Sequence, residues 1–182
     1  IRYTKKVIKD TFIELLEQKP INKITVTELC TKCEINRATF YRYYDDVYDL
    51  MEKLKSQYVR ELKEAISISK DDYTISGFTS EILEVILKNK ELSRILFSLK
   101  NGKDFLDDVL VIAHQKCVEK WNRHGKNVPQ EQVGYISTFI TAGTIGISNE
   151  WIQNDFQESS ADIANLIENI SHYGIAKLIY GK

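Results

Sequence analysis

The chain has only two prolines and eight glycines in 182 residues. So few breakers argue against many short strands joined by tight turns and point to long uninterrupted elements, that is, helices. Three cysteines cannot staple a chain of this size, and they fit a reducing cytoplasm. No apolar run approaches the ~18 residues that a membrane span needs, and the chain starts with no visible secretory signal. No phosphate loop, no Gly-x-Ser-x-Gly and no His-Glu-x-x-His occurs. The three histidines, His114, His124 and His172, stand far apart without an acid or nucleophile beside them. Asp107 and Asp108 are neighbours in a helical stretch, where adjacent side chains do not face each other. An enzyme is therefore not expected, and neither a cofactor nor a metal is.

The cysteines leave a second reading. Cys30 and Cys33 match C-x-x-C, and His114 and Cys117 could supply two further ligands. Both N-terminal cysteines fall on the apolar face of one helix, however, which suits small core residues.

Charge is unevenly spread. The net charge of −1 divides into +4 over residues 1–44 and −5 over 45–182. A basic N-terminal lobe on an acidic chain is what a nucleic-acid-facing end needs. Within that lobe, residues 25–44 read as two short helices with a tight turn. Val26, Leu29, Cys30 and Cys33 make one apolar face, with Thr27 as N-cap. Glu34, Ile35 and Asn36 form the turn, Ile35 pointing inward. Asn36 caps a second helix over 37–44, with Phe40 and Tyr44 inward and Arg37, Ala38, Thr39, Tyr41, Arg42 and Tyr43 outward. Arginine can bond bidentately to a guanine edge, and Thr and Ala can meet a thymine methyl. Tyrosine hydroxyls and helix N-termini suit phosphate oxygens. The same pattern also describes a helical hairpin with a solvated basic face.

The run 23–29 (Lys-Ile-Thr-Val-Thr-Glu-Leu) and the run 35–44, ending Thr-Phe-Tyr-Arg-Tyr-Tyr, together resemble the DNA-binding domain of the tetracycline-repressor (TetR) family. The resemblance covers residues 3–55. It implies an all-α fold and a homodimer on a palindromic double-stranded operator. It also implies a C-terminal domain that takes a small-molecule effector, and Thr27 with 36–39 and 41–43 as the DNA contacts. Two positions depart from the family pattern. Glu34 stands where the turn often has glycine, so a positive φ there carries strain. Asp45, Asp46 and Val47 stand where a phosphate-binding lysine is often found.

About nine helices are expected in all, with a domain boundary at 46/47. The first runs 4–18, capped by Thr4 and stopped at Pro20, with Ile8, Phe12, Leu15 and Leu16 inward. The fourth starts at Asp46 and buries Leu50, Met51, Leu54, Tyr58 and Leu62. Further helices cover 75–89, 91–99 and 103–124. The stretch 130–155 mixes β-branched residues and glycines, so a buried strand is one reading. Its length and helical surroundings favour a long helix, and 139–151 resembles TetR regulators of dihydroxyacetone kinase. A last helix spans 160–180. The effector pocket is expected among Phe78, Phe97, Phe105, His114, Trp121 and Phe139. Phe139, Gly143, Gly146, Ile147, Ile163, Ile167, Ile170 and Gly174 are expected at the dimer interface, where apolar stripes look too broad for one subunit. The rival is a helical adaptor that binds protein alone; it would show no salt-dependent DNA affinity.

Overall fold

A computed structural model of the protein describes residues 2–68, 75–98, 111, 115 and 130–180. Among the described residues there are eight α-helices and no strand. The chain divides into two compact units, residues 1–58 and 59–182. The boundary thus falls inside the fourth helix rather than before it. Its first three turns belong to the first unit, where Val47, Leu50, Met51, Leu54 and Tyr58 are all buried.

In the first unit, α1 (Arg2–Gln18) buries Ile8, Phe12, Ile13 and Leu15, a stripe at helical spacing. Thr4 lies inside this helix and does not cap it. A 3-10 turn (Ile21–Lys23) follows Pro20, whose φ of −66° suits entry to such a turn. α2 (Val26–Lys32) is capped by Thr25, not Thr27. The Thr25 backbone is extended and its hydroxyl accepts the Glu28 N–H at 3.1 Å. Thr27 is already helical, and its carbonyl accepts the Thr31 hydroxyl at 2.9 Å. Both carboxylate oxygens of Glu28 take the Lys19 ammonium, at 2.5 and 2.6 Å, and the carboxylate also reaches back toward the Thr25 backbone N–H. That hydrogen-bonded ion pair holds the Glu28 carboxyl below its usual range.

α2 ends in a Schellman motif. The Ile35 N–H donates to the Cys30 carbonyl at 3.0 Å, and the Glu34 N–H donates to the Thr31 carbonyl at 3.2 Å. The motif puts the residue after the C-cap in the left-handed region, and Glu34 has φ +55° there. α3 (Arg37–Tyr41) is shorter than the 37–44 expected. Its end tightens into an i→i+3 bond, Tyr43 N–H to the Phe40 carbonyl at 2.9 Å. α4 (Val47–Ile68) starts on Asp46, whose carboxylate accepts from the Tyr48 and Asp49 N–H groups, each at 2.8 Å.

In the second unit, α5 (Ile75–Lys88) packs on α6 (Lys90–Ser98) and α8 (Ser160–Tyr180), and α7 (Gln130–Gln153) packs on α6 and α8. The expected helix over 103–124 lies outside the described residues, except that Val111 and Gln115 are helical and exposed. The stretch 130–153 is a helix throughout, not a strand. Its inward face is partly polar: Ser137, Thr141 and Ser148 are buried beside Val133, Ile140, Trp151 and Ile152. Thr141 and Ser148 satisfy their buried hydroxyls by donating to the carbonyls of Ser137 and Thr144, one turn back. α7 ends in a second Schellman motif. The Asp155 and Phe156 N–H groups donate to the carbonyls of Ile152 and Trp151. Phe156 then meets Trp151 edge to face at 4.9 Å, the apolar contact that accompanies such a cap.

Candidate nucleic-acid interface

The outward surface of the first unit is built on the short α3. Asn36 holds its start: the side-chain oxygen accepts both the Thr39 N–H at 2.7 Å and the Thr39 hydroxyl at 2.9 Å. Phe40, fully buried, fixes the helix from beneath and contacts Tyr41 at 5.6 Å and Tyr44 at 5.5 Å. With that side inward, Asn36, Arg37, Ala38, Tyr41 and Arg42 are exposed, while Thr39 and Tyr43 are half-buried. Thr27 is exposed on α2. The expected DNA contacts therefore share one unit and one short segment of backbone. Thr39 differs from the rest, because its hydroxyl is committed to the cap.

Aromatic rings and cations continue around this surface. The Lys5 ammonium of α1 lies 5.3 Å from the centre of the Tyr43 ring. Lys53 of α4 donates to the Tyr43 carbonyl at 3.0 Å and to Asp49 at 2.7 Å, and lies 5.4 Å from the Tyr44 ring centre. Its partner Asp49 raises the Lys53 pKa, and in turn the hydrogen bond from Lys53 lowers that of Asp49. This lysine closes the end of α3. Val47, standing near the family's usual lysine position, is buried and serves the core. Cys30 and Cys33 are buried as well, and burial pushes both thiols up in pKa, away from the thiolate that metal binding needs. The Cys33 thiol donates to the Val7 carbonyl of α1 at 3.8 Å. Among the described residues no three His, Cys, Asp or Glu side chains are grouped to hold a metal. His114 and Cys117 lie outside the described residues.

The expected pocket and interface residues of the second unit divide differently. Phe105, His114 and Trp121 lie outside the described residues, as does the side chain of Phe78 on α5. Phe97 is half-buried on α6. Phe139 is 67% exposed. It stands on an outward face of α7 with Tyr135, Ala142, Gly143 and Gly146. A Cβ built on Gly143 or Gly146 would meet nothing within 4 Å. Ile163 and Ile167, expected at the interface, are instead buried in the core on α8, the helix that packs on α5 and α7. Ile147 and Ile170 are half-buried. Gly174 has φ +68° and ψ 174° and interrupts α8, a conformation only glycine adopts cheaply. Tyr135, 81% exposed, lies on the same outward face, four residues before Phe139.

Comparison with known proteins fits this architecture. Residues 73–173 match the family model TetR_C_8, described as "Transcriptional regulator C-terminal region". The match takes in more than half of the chain, and the chain belongs to the TetR family of transcriptional regulators. Such membership makes it a regulator rather than an enzyme. Solved structures share the fold at low identity. The dihydroxyacetone kinase operon activator DhaS is 19% identical with a TM-score of 0.66, over 94% of this chain and 95% of its own. A putative TetR-family regulator from Syntrophomonas wolfei str. Goettingen is 19% identical with a TM-score of 0.68, over 93% of each chain. The regulator FadR from Bacillus subtilis, solved in complex with stearoyl-CoA, is 16% identical with a TM-score of 0.66, over 93% of this chain and 98% of its own. A sequence comparison with curated proteins gave no match. Among the described residues no helix is long and apolar enough to cross a membrane.

Proposed function

We propose that the protein is a sequence-specific regulator of transcription in the cytoplasm, a homodimeric repressor that binds a palindromic operator through α3. The observation that carries this reading is the outward stripe of Arg37, Ala38, Tyr41 and Arg42 on a helix capped by Asn36 and anchored by buried Phe40. Arg37 is the base-reading candidate. Tyr41 and Tyr43 suit phosphate, and Ala38 allows close approach to the groove. Two copies would meet half-sites about 34–36 Å apart, or a multiple of that distance.

The dimer contact in this reading is the outward face of α7. Tyr135 and Phe139 supply apolar area, and the open faces of Gly143 and Gly146 allow a second helix to come close. A twofold axis brings such a patch against itself. A small-molecule effector taken up by residues 59–182 would favour one arrangement of the dimer over another, and so change operator affinity.

The test is to sequence genomic fragments retained by the purified protein and to measure the affinity of one of them against salt. Expected are a palindromic consensus, an affinity that falls steeply with salt, and a reporter repressed from that site. A Tyr41→Ala protein that stays helical and dimeric should lose operator affinity. Retention of wild-type affinity removes α3 as the recognition element. Activation of the reporter in place of repression reverses the sign of the proposal.

A further inference from the structure

Arg37 and Tyr41 stand one turn apart on α3, so their side chains lie along the same stripe. The Arg37 Nη2 group donates to the Tyr41 hydroxyl oxygen at 3.3 Å, and the guanidinium carbon lies 5.8 Å from the Tyr41 ring centre. Tyr41 is itself held: its ring meets fully buried Phe40 edge to face, and Phe40 meets buried Tyr44 in turn. An arginine on an exposed helix face ordinarily samples many rotamers. Here it leans on a ring that is fixed to the core.

From this geometry we infer that Tyr41 is a positioning residue for Arg37, and that the pair sets base preference as one unit. The inference rests on the DNA-binding reading of α3 and adds a division of labour within it. A guanidinium has five N–H donors in a fixed fork. One is engaged by the Tyr41 oxygen, which leaves a bidentate edge for a guanine O6 and N7. Because the Tyr41 oxygen accepts from Arg37, its own proton remains to be donated outward, to a phosphate or a base. Lysine at position 37 would lose the planar fork, and leucine at 41 would lose both the acceptor and the π face.

The experiment is a double-mutant cycle read at the level of sequence preference. Wild type, Arg37→Ala, Tyr41→Leu, Tyr41→Phe and Arg37→Ala/Tyr41→Leu each select from a randomised duplex pool, and their affinities for the wild-type consensus are measured at fixed salt. Circular dichroism confirms that each variant is folded. Tyr41→Leu is expected to relax preference at the same base position as Arg37→Ala. The double variant should discriminate no less than Arg37→Ala alone. The expected coupling is about 2- to 5-fold in affinity, the size of an exposed cation–π contact. Tyr41→Phe keeps the ring and should retain more of the preference than Tyr41→Leu.

Tyr41→Leu and Tyr41→Phe could instead lower affinity evenly at every base position, with losses that add to that of Arg37→Ala. Tyr41 would then be an independent backbone contact, and the inference is overturned while α3 keeps its role. A wild-type protein that selects no sequence removes the DNA-binding reading, and this inference with it. If Tyr41→Leu does not fold, Tyr41→Phe and the Arg37→Ala/Tyr41→Phe double variant decide: relaxed preference at the Arg37 base position with non-additive affinities supports the inference, and unchanged preference with additive affinities overturns it.

Discussion

Replacing Glu34 by glycine should stabilise the protein and tighten DNA binding, and the two effects can be separated. Glu34 sits after the C-cap of α2 with φ +55°, where a Cβ crowds the backbone. That conformation costs an L residue roughly 1–2 kcal/mol, whereas glycine adopts it freely. Glycine brings back roughly 0.5–1 kcal/mol of chain entropy in the unfolded state, so the net gain is about 0.5–1 kcal/mol. The Schellman bonds from Glu34 and Ile35 use backbone N–H groups, so the substitution keeps both. In a chain of this size the gain raises the thermal midpoint by roughly 1–4 °C. Removing a negative charge two residues before Asn36, which caps α3, should also strengthen attraction to a phosphate backbone, more so at low salt. Glu34→Ala separates the causes, because it removes the charge and keeps the Cβ. It should tighten DNA binding without gaining stability. Urea titration followed by circular dichroism measures the first effect, and gel shift at two salt concentrations measures the second. Equal stabilities for Glu34→Ala and Glu34→Gly would refute the strain argument; equal DNA affinities for Glu34→Ala and wild type would refute the charge argument.

Asn36→Ala removes the acceptor for both Thr39 bonds and should cost about 1 kcal/mol, with a loss of DNA affinity; Asn36→Asp keeps the acceptor and should retain most of the stability, as chemical denaturation will show. Gly146→Glu should yield a helical monomer with weakened operator binding. The site is open within its own subunit, and glutamate is the better helix former, so a dimer that survives in sedimentation refutes the α7 interface. Asp49 has its carboxyl held low by the hydrogen bond from Lys53. A folded pKa below the unfolded one contributes stability that is present above about pH 4 and lost as pH falls through the folded value. Acid titration should therefore unfold wild type more steeply below pH 4 than Asp49→Asn, and superimposed acid limbs would assign the effect elsewhere.

Much of the first unit was legible from local pattern. Asn36 as a cap, Phe40 and Tyr44 inward, Arg37 and Tyr41 outward, and strain at Glu34 all follow from helical spacing and φ preference, properties that act within four or five residues. Even the misplaced cap was a local matter: Thr25 and Thr27 are both acceptable caps, and the backbone becomes helical after the first. The second unit was less legible because α7 is apolar on two sides. Spacing marks Ile140, Phe139, Gly146 and Trp151 alike. Only the packing of α6 and α8 separates the buried Ile140 and Trp151 from the outward Phe139 and Gly146. Ile163 and Ile167 went the same way, taken by their own subunit before a second copy could claim them. Periodicity states that a face is apolar; which neighbour covers it is decided by contacts between residues distant in the chain, and those exist only in the folded structure.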